Sequence, residues 1–289
     1  MEIVSSIYTN LELTEYISYI DAALLMLPSY SMVYNDLNLD EAINYLRDNN
    51  KKIILSFDKI MHPNDMVDVK PFILKYKDYN DIYFYVTDTG LLNYLLDLNL
   101  NNRIIYNPMT MLCNAKDLSI FNSFGIDLAL SEEITLKDTI DIDNEVKPNL
   151  FMMMFGYRLM FYSKRKLVSL YGEKISKNIV LDNLVLKEST RDDIMPIIEN
   201  KNGTLVYRSY ILNLFKNINQ LQFIKYAYLD SLKIDNDKYI KALKCFYDFK
   251  NNKISFDEGI DILNSLGLDY EDGFLYKDSV YQKEELKND

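Results

Sequence analysis

Seven alternations of a short apolar run with an amphipathic stretch, all before residue 156, predict an α/β fold with a parallel sheet and helical crossovers. That number of units favours a closed ring over an open doubly wound sheet, with an eighth strand supplied later. The glycine fingerprints of the open folds, GxGxxG and GxxxxGK, are absent from the chain. The expectation is a TIM-like (β/α) barrel, partly irregular after residue 172, with a C-terminal helical appendage. The barrel domain is assigned to residues 1–250, and 251–289 to a C-terminal helix and tail packed on it.

Ile3 to Tyr8 reads as the first strand, and Thr9 with Glu12 forms a capping box that opens a helix. Ala22 to Leu27 is the second strand, followed by a helix from Leu39 to Arg47 on the stripe Leu39, Ala42, Ile43, Leu46. Lys52 to Phe57 is the third strand, and Val67 to Lys77 a helix with Pro71 placed in its first turn. Strands at Ile82–Thr87, Arg103–Tyr106 and Ile126–Leu130 alternate with helices at Leu91–Leu98, Lys116–Phe124 and Thr135–Ile140. Leu150 to Phe155 is a wholly apolar seventh strand that Gly156 ends. Beyond Gly172 the pattern loosens. Strands are expected at Leu181–Leu186 and Gly203–Tyr207, with Pro196 and Gly203-Thr204 fixing a turn. Tyr210–Asn217 is read as helix, Phe223–Asp230 as the eighth strand and Asp237–Phe249 as an amphipathic helix. Ser255 and Glu258 cap a last helix, which Gly267 closes.

The chain is acidic, with a formal net charge of −11, which argues against wholesale nucleic-acid binding and leaves a local basic patch as the route to phosphate. One such patch exists. From Tyr157 to Asn178 there are six Lys or Arg and one acid, an island of about +5. It reads either as one solvated helix face or as an anion-binding surface. The 24 tyrosines fit the same AT-rich coding bias as the abundant Asn, Ile and Lys, and carry no functional reading. No basic leader with an apolar core and no 18-residue apolar window is present, so no membrane association is expected. The two distant cysteines, Cys113 and Cys245, are expected to be reduced thiols in the cytoplasm, with Cys113 buried and inert.

In a barrel, reactive groups gather at the C-terminal ends of the strands. The strand ends read here bring Asp58, Lys59 and His62, then Asp88, Asn107, Glu132 and Glu133, then Tyr157 and Arg158, to one mouth, with Glu188, Arg191 and Glu199 later. Asp88, Glu133, Glu188 and Arg191 are the candidate catalytic residues. Asn107, Tyr157, Arg158, Ser163, Lys164, Arg165, Lys166 and Glu199 are the candidate substrate contacts. For two of these the bland readings are a helix cap at Asp88 and a surface ion pair between Glu188 and Arg191. One histidine and two distant cysteines do not make a zinc site, so no metal is expected.

The runs GYRLMFYSKRKLVSLY (156–171), KESTRDDIMPIIENKNGT (187–204) and GFLYKDSVY (273–281) resemble peptidase family U32, the collagenase-like proteases. Weaker echoes lie at TDTG (87–90), NPMTMLCN (107–114) and LSEEITL (130–136). The resemblance implies a TIM-like barrel and two kinds of activity. The family name says peptidase, whereas its bacterial members take part in hydroxylation of tRNA, ribosomal RNA and the ubiquinone ring. Longer members carry cysteines that bind an iron–sulfur cluster. At the signature positions this chain has Leu159 and Lys166, so no cluster of its own is implied. The resemblance therefore points to a subunit in 5-hydroxylation of the tRNA wobble uridine, working in a heteromer with a longer, cluster-bearing paralogue. Lys164, Arg165, Lys166 and Arg158 would meet tRNA phosphate, and Tyr157 or Tyr162 would stack on a base. The alternatives are a peptidase and a non-catalytic scaffold for the long paralogue.

Overall fold

A computed structural model describes residues 1–190 and 192–277. The first half runs β1 (Glu2–Ile7), α1 (Asn10–Tyr16), β2 (Ala22–Met26), α2 (Leu39–Asp48), β3 (Lys52–Phe57), α3 (Pro63–Tyr76), β4 (Ile82–Val86) and α4 (Thr89–Asp97). It continues with β5 (Ile104–Tyr106), α5 (Ala115–Asn122), β6 (Asp127–Ala129), α6 (Leu136–Val146), β7 (Leu150–Ser163) and α7 (Leu167–Lys174). The rest is β8 (Val185–Lys187), β9 (Ile194–Asn200), β10 (Gly203–Asn213), β11 (Tyr226–Leu229), α8 (Asn236–Lys250), α9 (Phe256–Ser265) and β12 (Tyr270–Glu271).

Strands β1 to β7 lie side by side in chain order and in parallel, and β11 pairs with both β7 and β1, closing a ring of eight parallel strands. Closure is in register: Ala227 opposes Ile3 on one side and Met152 on the other. These strands are buried along nearly their whole length, which is why they read as continuous apolar runs instead of alternating ones. The helices cover the outside. Thr9, Asn38, Asp88, Asn114, Thr135, Asp235 and Ser255 each accept a hydrogen bond from a backbone N–H in the first turn of the helix that follows.

Four expectations are corrected. Gly156 does not end β7; the strand passes through it to Ser163 and pairs antiparallel with β10. Gly156 has φ +135°, and a Cβ there would lie 2.7 Å from Met153 Cε and 2.9 Å from Asp230 Cβ. Only glycine lets the strand leave the ring at this point. Residues 210–213 extend β10 instead of starting a helix, because Ile211 and Leu212 pair with Tyr157 and Gly156 on one side and with β12 on the other. Pro196 lies within β9, opposite Val185, not in a turn. Pro71 lies inside α3, whose first turn starts at Pro63.

The outer half of β7, with β10, β9 and β8, forms an antiparallel extension that stands over the C-terminal end of the ring. After β11 the chain packs α8 against β1, burying Tyr239, Ala242, Leu243 and Phe246. Helix α9 lies on α8, with Gly259 against the ring of Phe215. The segment after α9 returns to the mouth. There Tyr270 and Glu271 pair with β10, and Leu136 N–H donates to the Leu275 carbonyl at 3.0 Å.

Candidate functional site

Two chambers that share Tyr85, Asn107, Met109, Glu132, Met153, Leu159 and Tyr228 open at the C-terminal end of the ring, where barrel geometry places reactive groups. The floor consists of inward side chains of the strands, among them Leu24, Met26, Met153 and Tyr228. The roof consists of Tyr157, Leu159, Tyr207 and Arg208 from the extension. An apolar chamber with a few convergent polar groups is the usual form of a small-ligand site.

Three carboxyl groups with raised pKa values border it. Asp58, one residue beyond β3, is buried, and burial pushes its pKa up to about 7 even though its Oδ1 accepts the Met32 N–H at 2.7 Å. Asp230, one residue beyond β11, accepts from Ser6 Oγ at 2.8 Å, Tyr8 Oη at 2.9 Å and Leu232 N–H at 3.0 Å. Desolvation still raises its pKa, and its charge raises that of Asp58 in turn. Glu132 lines both chambers but is exposed to solvent, and desolvation by the surrounding protein pushes its pKa up to about 7 against the pull of Arg158. Tyr8, Tyr85, Tyr207 and Tyr228 surround these acids, and burial drives every one of their phenols well above its ordinary pKa. They are neutral hydrogen-bonding walls. These four of the 24 tyrosines thus line the candidate site.

Asn107 belongs to this mouth: its amide donates to the Tyr85 hydroxyl and its Oδ1 accepts the Met109 N–H at 2.9 Å. Tyr157 is half-buried over one chamber and Glu133 borders the other. Arg158 is buried and donates twice to Glu271 Oε1, through Nη2 at 2.7 Å and Nε at 3.2 Å, with its guanidinium 5.0 Å from the ring centre of Phe274.

The remaining candidates lie elsewhere. Asp88 caps α4, accepting the Leu91 N–H at 2.9 Å. Glu199 accepts from the Val168 and Ser169 N–H groups and from the Ser169 and Thr204 hydroxyls. Burial works against its charge, but these donors hold its pKa below the usual range, so it serves as a cap supplied to α7 from β9. Ser163 accepts the Arg165 N–H at 3.2 Å at the end of β7. Lys164 reaches Asp65 at 3.5 Å, beside Lys59 on the rim, while Arg165 and Lys166 face solvent outside both chambers. Glu188 is on the exposed face beyond β8, and Arg191 lies outside the described residues. Cys113 is exposed, not buried; Cys245, on the inner face of α8, is buried.

Asp58 and Glu132 were visible in the sequence as strand-end acids. Asp230 ends the expected eighth strand and was open to the same reading, whereas Arg208 and Glu271 carried no signal beyond position, because their roles depend on the extension and the returning segment. Among the described residues no cluster of three or more His, Cys, Asp or Glu side chains is arranged to hold a metal ion. The positions of the signature cysteines are Leu159, which lines both chambers, and Lys166, the residue before α7. Neither can ligate iron, so the residues present do not fit an iron–sulfur cluster. No described helix is long and apolar enough to cross a membrane.

Comparison with known proteins adds three findings. A family model described as peptidase family U32 matches residues 19–249. The tRNA hydroxylation protein P2 of Bacillus subtilis (strain 168) is 23% identical over 174 residues, covering 53% of this chain and 55% of that protein. The chain thus spans about half the length of the curated relative it matches. A solved U32 peptidase superimposes with a TM-score of 0.49 and 8% identity, over 80% of this chain and 92% of that one.

Proposed function

The chain belongs to peptidase family U32, and from that premise we propose that it is a subunit in the 5-hydroxylation of the tRNA wobble uridine, with the uracil base held in the barrel mouth. The observation that carries this reading is the pair Asp58 and Glu132, both with pKa pushed up to about 7, among aromatic walls. A protonated carboxyl presents a donor and an acceptor side by side, the complement of the uracil N3–H and O4 edge. Tyr85, Phe151 and Tyr228 offer faces for the ring, and a base in a cavity has left its stack. Lys164, on the rim, and Arg165 and Lys166, exposed beyond it, are the groups offered to the flanking phosphates. The matched relative is named for tRNA hydroxylation, which supports the same assignment. The redox chemistry belongs, in this proposal, to a longer paralogue that carries the cluster cysteines.

Mass spectrometry of tRNA from a strain lacking the gene tests it. The 5-hydroxyuridine content is expected to fall, and to return with the wild-type gene or Glu132→Gln but not with Glu132→Leu. Full content in the deletion strain overturns the reading. One observation favours a peptidase instead: two carboxyls that titrate near neutrality border one chamber, as acid–base hydrolysis needs. Cleavage of gelatin or peptides by the purified chain, lost in Asp58→Asn, would establish that activity.

A further inference from the structure

Arg158 and Arg208 both face one carboxylate, that of Glu271. Arg158 donates both of its hydrogen bonds to this carboxylate at Oε1, and its Nη1 donates to the Glu132 carbonyl at 3.4 Å. The other oxygen, Oε2, is 3.6 Å from Arg208 Nη2, too long for a hydrogen bond. The Arg208 Nε–H is buried and has no acceptor at all. A buried donor left without an acceptor is costly, and a guanidinium edge is shaped for two oxygens of one oxyanion. Glu271 belongs to the segment that returns to the mouth after α9. It sits on the two-residue strand β12, and the turn after it, at Gly273 with φ +65°, lies against the Arg158 guanidinium.

We infer that Arg158 and Arg208 form an oxyanion site in the mouth, one that takes a phosphate or carboxylate group of the substrate and that Glu271 occupies as the chain's own stand-in. This rests on the reading of the mouth as a substrate site and names a second part of what binds there. The incoming oxyanion accepts from Arg208 Nε and Nη2, and shares or displaces the Glu271 carboxylate at Arg158. Thr110 and Asn107 border the same space and supply neutral donors. The negative groups facing it are Glu271, Glu133 on the outer edge and Glu132, whose pKa of about 7 leaves it partly protonated at neutral pH. The segment carrying Glu271 and Phe274 is then a strap that the ligand competes with, and the competition selects for ligands bearing an oxyanion.

Thermal-shift and calorimetric titrations with inorganic phosphate, at ionic strength matched with chloride, test the site in the full chain. The wild type is expected to show a saturable rise in Tm. Glu271→Gln removes the competing charge and should tighten phosphate binding about tenfold, with phosphate restoring the Tm that the substitution lowers. Arg208→Gln leaves the Arg158–Glu271 pair in place and should abolish the saturable response. Equal curves for the wild type and Arg208→Gln would place any bound phosphate elsewhere and overturn the inference. So would no saturable response in the wild type and in Glu271→Gln; if Glu271→Gln does not fold, the wild type against Arg208→Gln decides alone. Parallel titrations with succinate and with uridine 5′-monophosphate separate the sources: a response to phosphates alone assigns a nucleotide phosphate, and an equal response to succinate assigns an organic acid. Phosphate binding that survives while tRNA 5-hydroxyuridine proves independent of the gene sinks the proposed function and leaves the site standing.

Discussion

Asp58 ionises near neutrality because burial desolvates it, which the Met32 N–H and its own N–H offset only in part, while Asp230 adds a like charge. Its folded pKa of about 7 lies above the unfolded value, so the folded chain binds the proton more tightly and stability falls as pH rises from about 4 to 7. Above pH 7 the ionised carboxylate persists as a fixed penalty. Asp58→Asn keeps an oxygen for the Met32 N–H and removes the charge. It should therefore raise stability at pH 8 by on the order of 2 kcal/mol, flatten that slope and change little at pH 4. Urea melts at the two pH values check this, and an equal effect at both would refute it. Glu132→Gln should act in the same direction but more weakly, since water in the chambers screens that carboxyl. The same residues show what a sequence can tell. Asp58, Asp88 and Glu132 all follow strands and precede helices, and nothing in their neighbours separates them. What separates them is solvation: the Asp88 carboxylate is satisfied by the Leu91 N–H, Asp58 is buried, and Glu132 lies against chamber walls that partly desolvate it.

At the scale of elements, α7 is the most dependent piece of the fold. Gly172 is its buried residue, and its first turn takes its cap from Glu199 on another strand. Glu199→Gln should loosen α7 by about 1–2 kcal/mol, read as faster hydrogen exchange at residues 167–174, with the barrel amides unchanged. Unchanged exchange across α7 would show that the cap is not what holds it. Gly156 is the opposite case, one position on which two sheets depend. Gly156→Ala forces a Cβ against Met153 and Asp230 at a positive φ and should cost about 2–4 kcal/mol, seen as a fall in denaturation midpoint. The barrel strands were legible because burial on both faces writes them as apolar runs, Ala22–Leu27 and Lys52–Phe57 among them. The extension was not. Tyr210 to Asn217 has a helical spacing of apolar residues, and only pairing with β7 and β12, 54 and 59 positions away at Ile211, makes its first four residues strand.

At the scale of the whole molecule, the segment after α8 is part of the barrel's stability as well as of its mouth. A chain ending at Lys250 loses the buried Leu263, Leu266 and Leu275 and uncovers Phe215. At about 1.5–3 kcal/mol for each buried side chain the loss reaches roughly 5–9 kcal/mol, comparable to the whole stability of a typical domain. Such a truncation should yield aggregated protein, and a soluble chain with a cooperative melt would disprove the estimate. Ring closure has a consequence of its own for synthesis. The strand that completes the ring, Tyr226–Leu229, is made about 220 residues after its partner Glu2–Ile7. At about 5–20 residues per second, a ribosome leaves that first edge unpaired for roughly 10–40 seconds. During that interval the nascent polypeptide offers an open β edge to any neighbour, which makes it a natural client for a chaperone until its last stave arrives.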